Sequence, residues 1–175
     1  MKSPVAFLLA GLVASMAPAA AWSQLASSKI PSFTATALSG EKVSSAELMG
    51  QPTILIVTPS KDAAEDTRLW AQALRKNIAE KDIRIRDVLA IDLPFFMSES
   101  DAIGRAKEKI PPRYQDQTWI FAEQDLERAL NIPPNSSKAF IFVLDKAGQV
   151  LARVEGNPTE ARISEVESAV LSTKK

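Results

Sequence analysis

Asp62 and Glu65 stand three residues apart in Lys61-Asp62-Ala63-Ala64-Glu65-Asp66. On a helix that spacing puts two carboxylates on neighbouring positions of one face. Such a pair can hold a cation or work as general acid and base. The competing reading is plainer: acidic side chains in a first turn offset the positive end of the helix dipole. Just upstream, Thr58-Pro59-Ser60 offers a hydroxyl, but nothing in the adjoining sequence can activate it, so capping the following helix is the better use. Trp70 and Trp119 could line a ligand pocket; their places on a helix stripe and in a strand favour core packing instead. Phe95-Phe96-Met97 places three large apolar residues in one loop. Burial beneath the next helix is the expectation, and exposure toward a partner is the alternative. Tyr114, in the loop Pro111-Pro112-Arg113-Tyr114, is a further candidate for a partner surface.

The composition narrows the chemistry sharply. There is no cysteine and no histidine. Thiol–disulfide exchange, thiol peroxidase chemistry and zinc sites built from Cys or His therefore lose their reactive groups. A Ser-His-Asp triad is excluded for the same reason. Stability must come from the hydrophobic core without disulfides. Basic and acidic side chains balance at 21 each, which leaves no electrostatic footprint for nucleic acid and no polybasic membrane anchor.

The N-terminus has the layout of an export signal. Lys2 supplies the charge, Val5 to Ala14 supply an apolar run too short to span a bilayer, and small residues follow at Ala19, Ala20, Ala21 and Ser23. Cleavage after Ala21 or Ser23 fits; an uncleaved anchor is the alternative. The organisation expected is a signal over residues 1–23, a tether over 24–31 and one domain over 32–175. No later segment is long and apolar enough to span a membrane. The destination implied is a bacterial periplasm, or secretion beyond it.

The elements that must position these residues follow from pattern. Residues 31–38 alternate weakly, as an edge strand does. Ser44, Glu47 and Gly50 mark one capped helical turn. Thr53-Ile54-Leu55-Ile56-Val57 is apolar on both faces and predicts a central strand. From Lys61 to Ile78, Ala63, Thr67, Trp70, Leu74 and Ile78 form one stripe of an amphipathic helix. A second strand region runs from Ile83 to Asp92 and ends at Pro94. Ser98 caps a helix carrying Ile103, Ala106 and Ile110, which Pro111-Pro112 stop. Residues 118–121 predict a strand and residues 123–130 a short helix. Residues 139–144 and 149–154 predict a hairpin turning at Asp145–Gly148. The last helix starts with Asn157 as N-cap, Pro158 and Glu160. The order predicts an α/β sandwich with a mixed sheet.

Three pieces of this chain resemble the thioredoxin-like superfamily, in its TlpA and peroxiredoxin-like branch. They are Pro31-Ser32-Phe33 through Gly40-Glu41, Gly50-Gln51-Pro52 with the strand after it, and Phe142-Val143-Leu144-Asp145 through Gly148-Gln149-Val150. The whole looks most like the YtfJ-like periplasmic proteins, which also lack the redox motif. The resemblance implies a three-layer sandwich with helices on both sides of a central mixed sheet. It also implies that Asp62 and Glu65 stand where an active member carries its two cysteines. Ala139 then stands about where the family places its cis-proline. No cofactor, metal ligand or catalytic residue follows. The function implied is a binding or scaffold role in the cell envelope, with a protein or peptide partner. The alternative is a carboxylate-dependent or metal-binding enzyme using Asp62 and Glu65.

Overall fold

The computed structural model describes residues 29–78, 83–90, 93, 95–121 and 125–173. The expected export signal (residues 1–23), most of the expected tether, Ile91-Asp92, Pro94, Glu123 and Lys174-Lys175 lie outside the described residues.

Seven strands form one sheet: β1 (Thr34–Ala37), β2 (Lys42–Ser44), β3 (Thr53–Thr58), β4 (Arg84–Leu89), β5 (Thr118–Ile120), β6 (Phe140–Leu144) and β7 (Val150–Glu155). Their order is β2-β1-β5-β4-β3-β6-β7. The centre is parallel, with β4 between β3 and β5; the flanks are antiparallel, β1 on β5 and β6 on β3. Every residue of β3 and of β6 is buried, as a strand covered on both faces requires.

Alternation along β3 divides the core. Ile54 and Ile56 face one side, where they meet Trp70 and Leu74 of α1 (Ala64–Asn77) and Val166 and Val170 of α5 (Glu160–Ser172). Leu55 and Val57 face the other side, with Phe33, Leu48, Trp119, Phe142, and Leu126 of α4 (Asp125–Ala129). Phe33 meets Trp119 and Phe121 edge to face, with centroids 6.4 and 5.4 Å away. Trp70 and Trp119 are thus core residues, as their positions imply. Between β4 and β5 run α2 (Glu99–Lys109) and the one-turn α3 (Pro112–Gln115). The three-layer α/β architecture with a mixed sheet is the one expected.

Gly148 shows why the hairpin turn has its sequence. Its φ is +78°, and a Cβ there would stand 2.4 Å from Met49 Cε. Only glycine fits without displacing that side chain. Asp145 completes the turn by accepting the Ala147 and Gln149 amides, each at 2.8 Å.

Lys42–Ser44, directly before the capped turn, is a strand paired to β1. Three local expectations are corrected. Pro112–Gln115 is a helical turn with proline at its start, not a plain loop. The last helix is capped by Thr159, whose hydroxyl accepts from Arg162 N at 3.4 Å; Asn157 instead accepts from the Arg162 guanidinium at 2.7 Å. Ser60 sits before the first turn in an extended conformation, but its hydroxyl donates across the fold to Ser136 O at 2.7 Å rather than capping the helix.

Candidate binding edge

The parallel strands end side by side, at Thr58, Leu89 and Ile120. β6 begins at the same edge, because Phe140 is opposite Val57, and β7 ends there, with Glu155 opposite Phe140. Loops at the carboxyl ends of parallel strands are the usual place for ligands in open α/β sheets. Asp62, Glu65, Ala139 and the Phe95–Met97 loop all belong to segments leaving this edge.

The carboxylates are not poised as a pair. Asp62 lies in a 3-10 turn (Lys61–Ala63) and is exposed. Glu65 lies in the first turn of α1, two residues beyond the cap Ala63, and binds Arg68 through both oxygens, at 2.9 and 2.5 Å. That hydrogen-bonded guanidinium holds the Glu65 pKa below its ordinary value. Among the described residues no group of three or more carboxylates could hold a metal ion.

Beneath the surface, hydrogen bonds close the region. Thr58 and Thr67 share a buried hydroxyl contact at 2.9 Å, and Thr67 also donates to Ala63 O at 3.1 Å. Ala139 is fully buried, and its carbonyl accepts from Gly156 N at 2.8 Å. The Gly156 carbonyl in turn accepts from Trp70 Nε1 at 2.5 Å. Among the described residues every peptide bond is trans. Asp62 and Glu65 therefore share a helix start, and Ala139 serves as backbone packing beneath it.

Phe95 and Phe96 are where the largest departure occurs. They are 102% and 72% exposed, so burial beneath α2 is overturned. The reason lies in α2 itself, which buries no residue of its own and leaves no cover for two rings. The rings pack on each other instead, edge to face at 5.4 Å. Beside them a groove of about 330 Å³ runs along the outer face of α2, lined by Phe96, Met97, Asp101, Gly104, Arg105 and Glu108, among others. Tyr114 does not line this groove. It is half-buried, with the Arg75 guanidinium 4.4 Å and that of Arg113 4.7 Å from its ring centre.

Two polar clusters went unnoticed in the sequence. Arg75 of α1 binds Asp87 of β4 at 2.6 Å, with both side chains only 10% exposed. Burial pushes the Asp87 pKa up, and the Arg75 charge pulls it back. The visible signal was a carboxylate inside the strand Arg84-Ile85-Arg86-Asp87-Val88-Leu89. Glu99, at the start of α2, accepts from the Thr36 hydroxyl and pairs with Lys42 at 3.4 Å. The Thr36 hydrogen bond, aided by Lys42, holds the Glu99 pKa down. This cluster could not be read from sequence, since its members are 63 residues apart.

No protein-family model matches the chain, and no curated protein matches it either. Solved structures do. A candidate thiol:disulfide interchange protein, DsbE, from Chlorobium tepidum superposes with a TM-score of 0.60 at 15% identity, over 85% of this chain and 97% of that one. The thioredoxin domain of a thiol-disulfide oxidoreductase from Bacteroides vulgatus gives 0.58 at 17%, over 83% and 97%. An exposed lipoprotein thioredoxin from Streptococcus pneumoniae gives 0.59 at 12%, over 79% and 98%. At such identities the likeness establishes the fold, which is thioredoxin-like, in a chain that holds no cysteine.

Proposed function

We propose that this is an exported thioredoxin-fold protein of the bacterial cell envelope that works by binding and performs no thiol redox chemistry. Its partner is a protein or peptide. The observation that carries the reading is the exposed pair Phe95-Phe96, set beside a groove on a helix with no buried residue. Two neighbouring rings held in water are costly unless something covers them. The apolar N-terminal run with its small-residue tail supports export, and the likeness to an exposed lipoprotein thioredoxin agrees with that location. The resemblance to YtfJ-like proteins points the same way. The carboxylate-enzyme alternative loses ground because Glu65 is committed to Arg68.

A photo-crosslinking residue at position 95 of the mature protein tests the reading in envelope fractions. A defined adduct is expected, lost when Phe96→Ser is added. Absence of any adduct, or recovery of the full-length chain in the cytoplasm, overturns it. Reduction of insulin disulfides by the purified chain would sink the redox claim. Asp62→Ala with Glu65→Ala should leave the adduct intact; a selective loss of divalent-cation binding in that variant would revive the enzyme alternative.

A further inference from the structure

We propose that the outer face of α2 is a two-fold contact between two copies of this chain. The inference rests on the reading of Phe95–Met97 as a contact surface and names its occupant.

The residues along the groove recur at helical spacing: Met97, Asp101, Gly104, Arg105 and Glu108. They share one outer stripe. The half-buried residues Ala102, Ile103 and Ala106 turn the opposite way. Charge along the stripe reads acid, then base four residues on. Two such stripes laid antiparallel, with the axis level with Ile103, set Asp101 of each copy opposite Arg105 of the other. The surface is therefore complementary to itself, which is what an isologous contact demands. A parallel or displaced pairing loses this match; a shift that sets Asp101 against Glu108 brings like charges together.

The same register settles the apolar ends. Phe95 and Phe96 of one copy come level with Pro111 and Pro112 of the other. Pro111 and Pro112 are exposed in the single chain. Two aromatic–proline contacts would then close the two ends of the contact. Gly104 lies beside the axis. A Cβ there would meet nothing within 4 Å, so its outer side is open to a second helix. A glycine at that point lets two helix backbones approach closely.

Sedimentation equilibrium on the mature chain, from micromolar to millimolar concentration, reads the outcome directly. A monomer–dimer equilibrium is expected. Phe95→Ser should raise the dimer dissociation constant by at least about tenfold, as loss of an aromatic anchor covered in the contact does. Arg105→Glu should weaken it as well, and Arg105→Asp combined with Asp101→Arg should restore it. Asp101 also caps its own helix, so Gly104→Leu provides a second probe. It should block association while the circular dichroism of the monomer keeps its helix content. In this cysteine-free chain Gly104→Cys supplies a single thiol. A short bis-maleimide should join two copies through it, and should not do so through Leu171→Cys, an exposed site on α5. A dimer indifferent to Gly104→Leu and Arg105→Glu would overturn the proposal. So would a chain monomeric throughout whose residue 95 crosslinks to a different protein, which leaves the binding reading standing. A monomer that crosslinks to nothing overturns both.

Discussion

Helices α1 and α2 occupy equivalent places in the connectivity and differ in how they are held. Each follows a parallel strand, begins near the carboxyl edge of the sheet and leads back to the next parallel strand. α1 buries Thr67, Trp70 and Leu74; α2 buries none of its residues. α1 is fixed by core packing and by the Arg75–Asp87 ion pair. α2 is fixed at its start by polar groups, the Glu99–Thr36–Lys42 cluster and the Ser98–Asp101 capping box. One helix thus belongs to the fold. The other is attached to it at its start and keeps an exposed outer face.

The largest effect should come from breaking the anchor of α1. Arg75→Met leaves Asp87 buried without its hydrogen-bonded cation, with only the weaker pull of Arg86 remaining, a loss of about 3–5 kcal/mol. Replacing both partners, with Asp87→Leu added, should recover most of that, since a well-packed apolar pair needs no desolvated charge. The pH dependence has a definite sign. Burial raises the Asp87 pKa above that of the unfolded chain. The folded state then binds more protons than the unfolded state between the two values. The stability from this group is highest below the unfolded pKa and declines as pH rises through the folded one. Arg75→Met removes the larger opposing attraction, so its decline should reach higher pH; Asp87→Asn should abolish this contribution to the slope. Urea titrations at stepped pH check all three.

Trp70→Ala should cost a similar or slightly smaller amount, about 3–5 kcal/mol. It removes a fully buried ring and leaves the Gly156 carbonyl without its indole donor. Thermal unfolding followed by calorimetry reads the loss. This residue was legible in the sequence because Ala63, Thr67, Trp70 and Leu74 fall on one stripe, and burial follows period. The same logic failed at α2. Ile103, Ala106 and Ile110 also form a stripe, but with alanine in its middle it has too little apolar area to reach full burial, and Phe95-Phe96 are left outside. The strands were legible for the opposite reason: β3 and β6 are continuous apolar runs that tolerate no other placement. The three-residue β2 was not, since its pairing is set by β1 and not by its own composition. The candidate site was legible only as positions. That Glu65 is bound to Arg68, and that Ala139 is locked by Gly156, depends on rotamers and on contacts between distant segments.

Capping should matter less, and only locally. Ser98 accepts from Asp101 N at 3.1 Å and its own amide donates back to Asp101 Oδ2 at 3.1 Å. Ser98→Ala should cost about 1 kcal/mol. With no buried residue to transmit that loss, it should appear as faster hydrogen exchange across residues 99–105. Amides of β3 and β6 should keep their protection. A uniform rise in exchange would mean that α2 is part of the cooperative core after all.

The smallest effect on stability should come from the most conspicuous side chain. Phe95 is fully exposed and touches chiefly Phe96. Phe95→Ser in the isolated monomer should therefore change the unfolding free energy by no more than about 0.5 kcal/mol, the range of surface substitutions. It should also raise solubility, because it removes apolar area from water. A large loss would show that the ring is buried in solution and that α2 is covered by its own chain. A small one, alongside the Arg75 and Trp70 losses, would separate the helix that folds the molecule from the surface that meets something else.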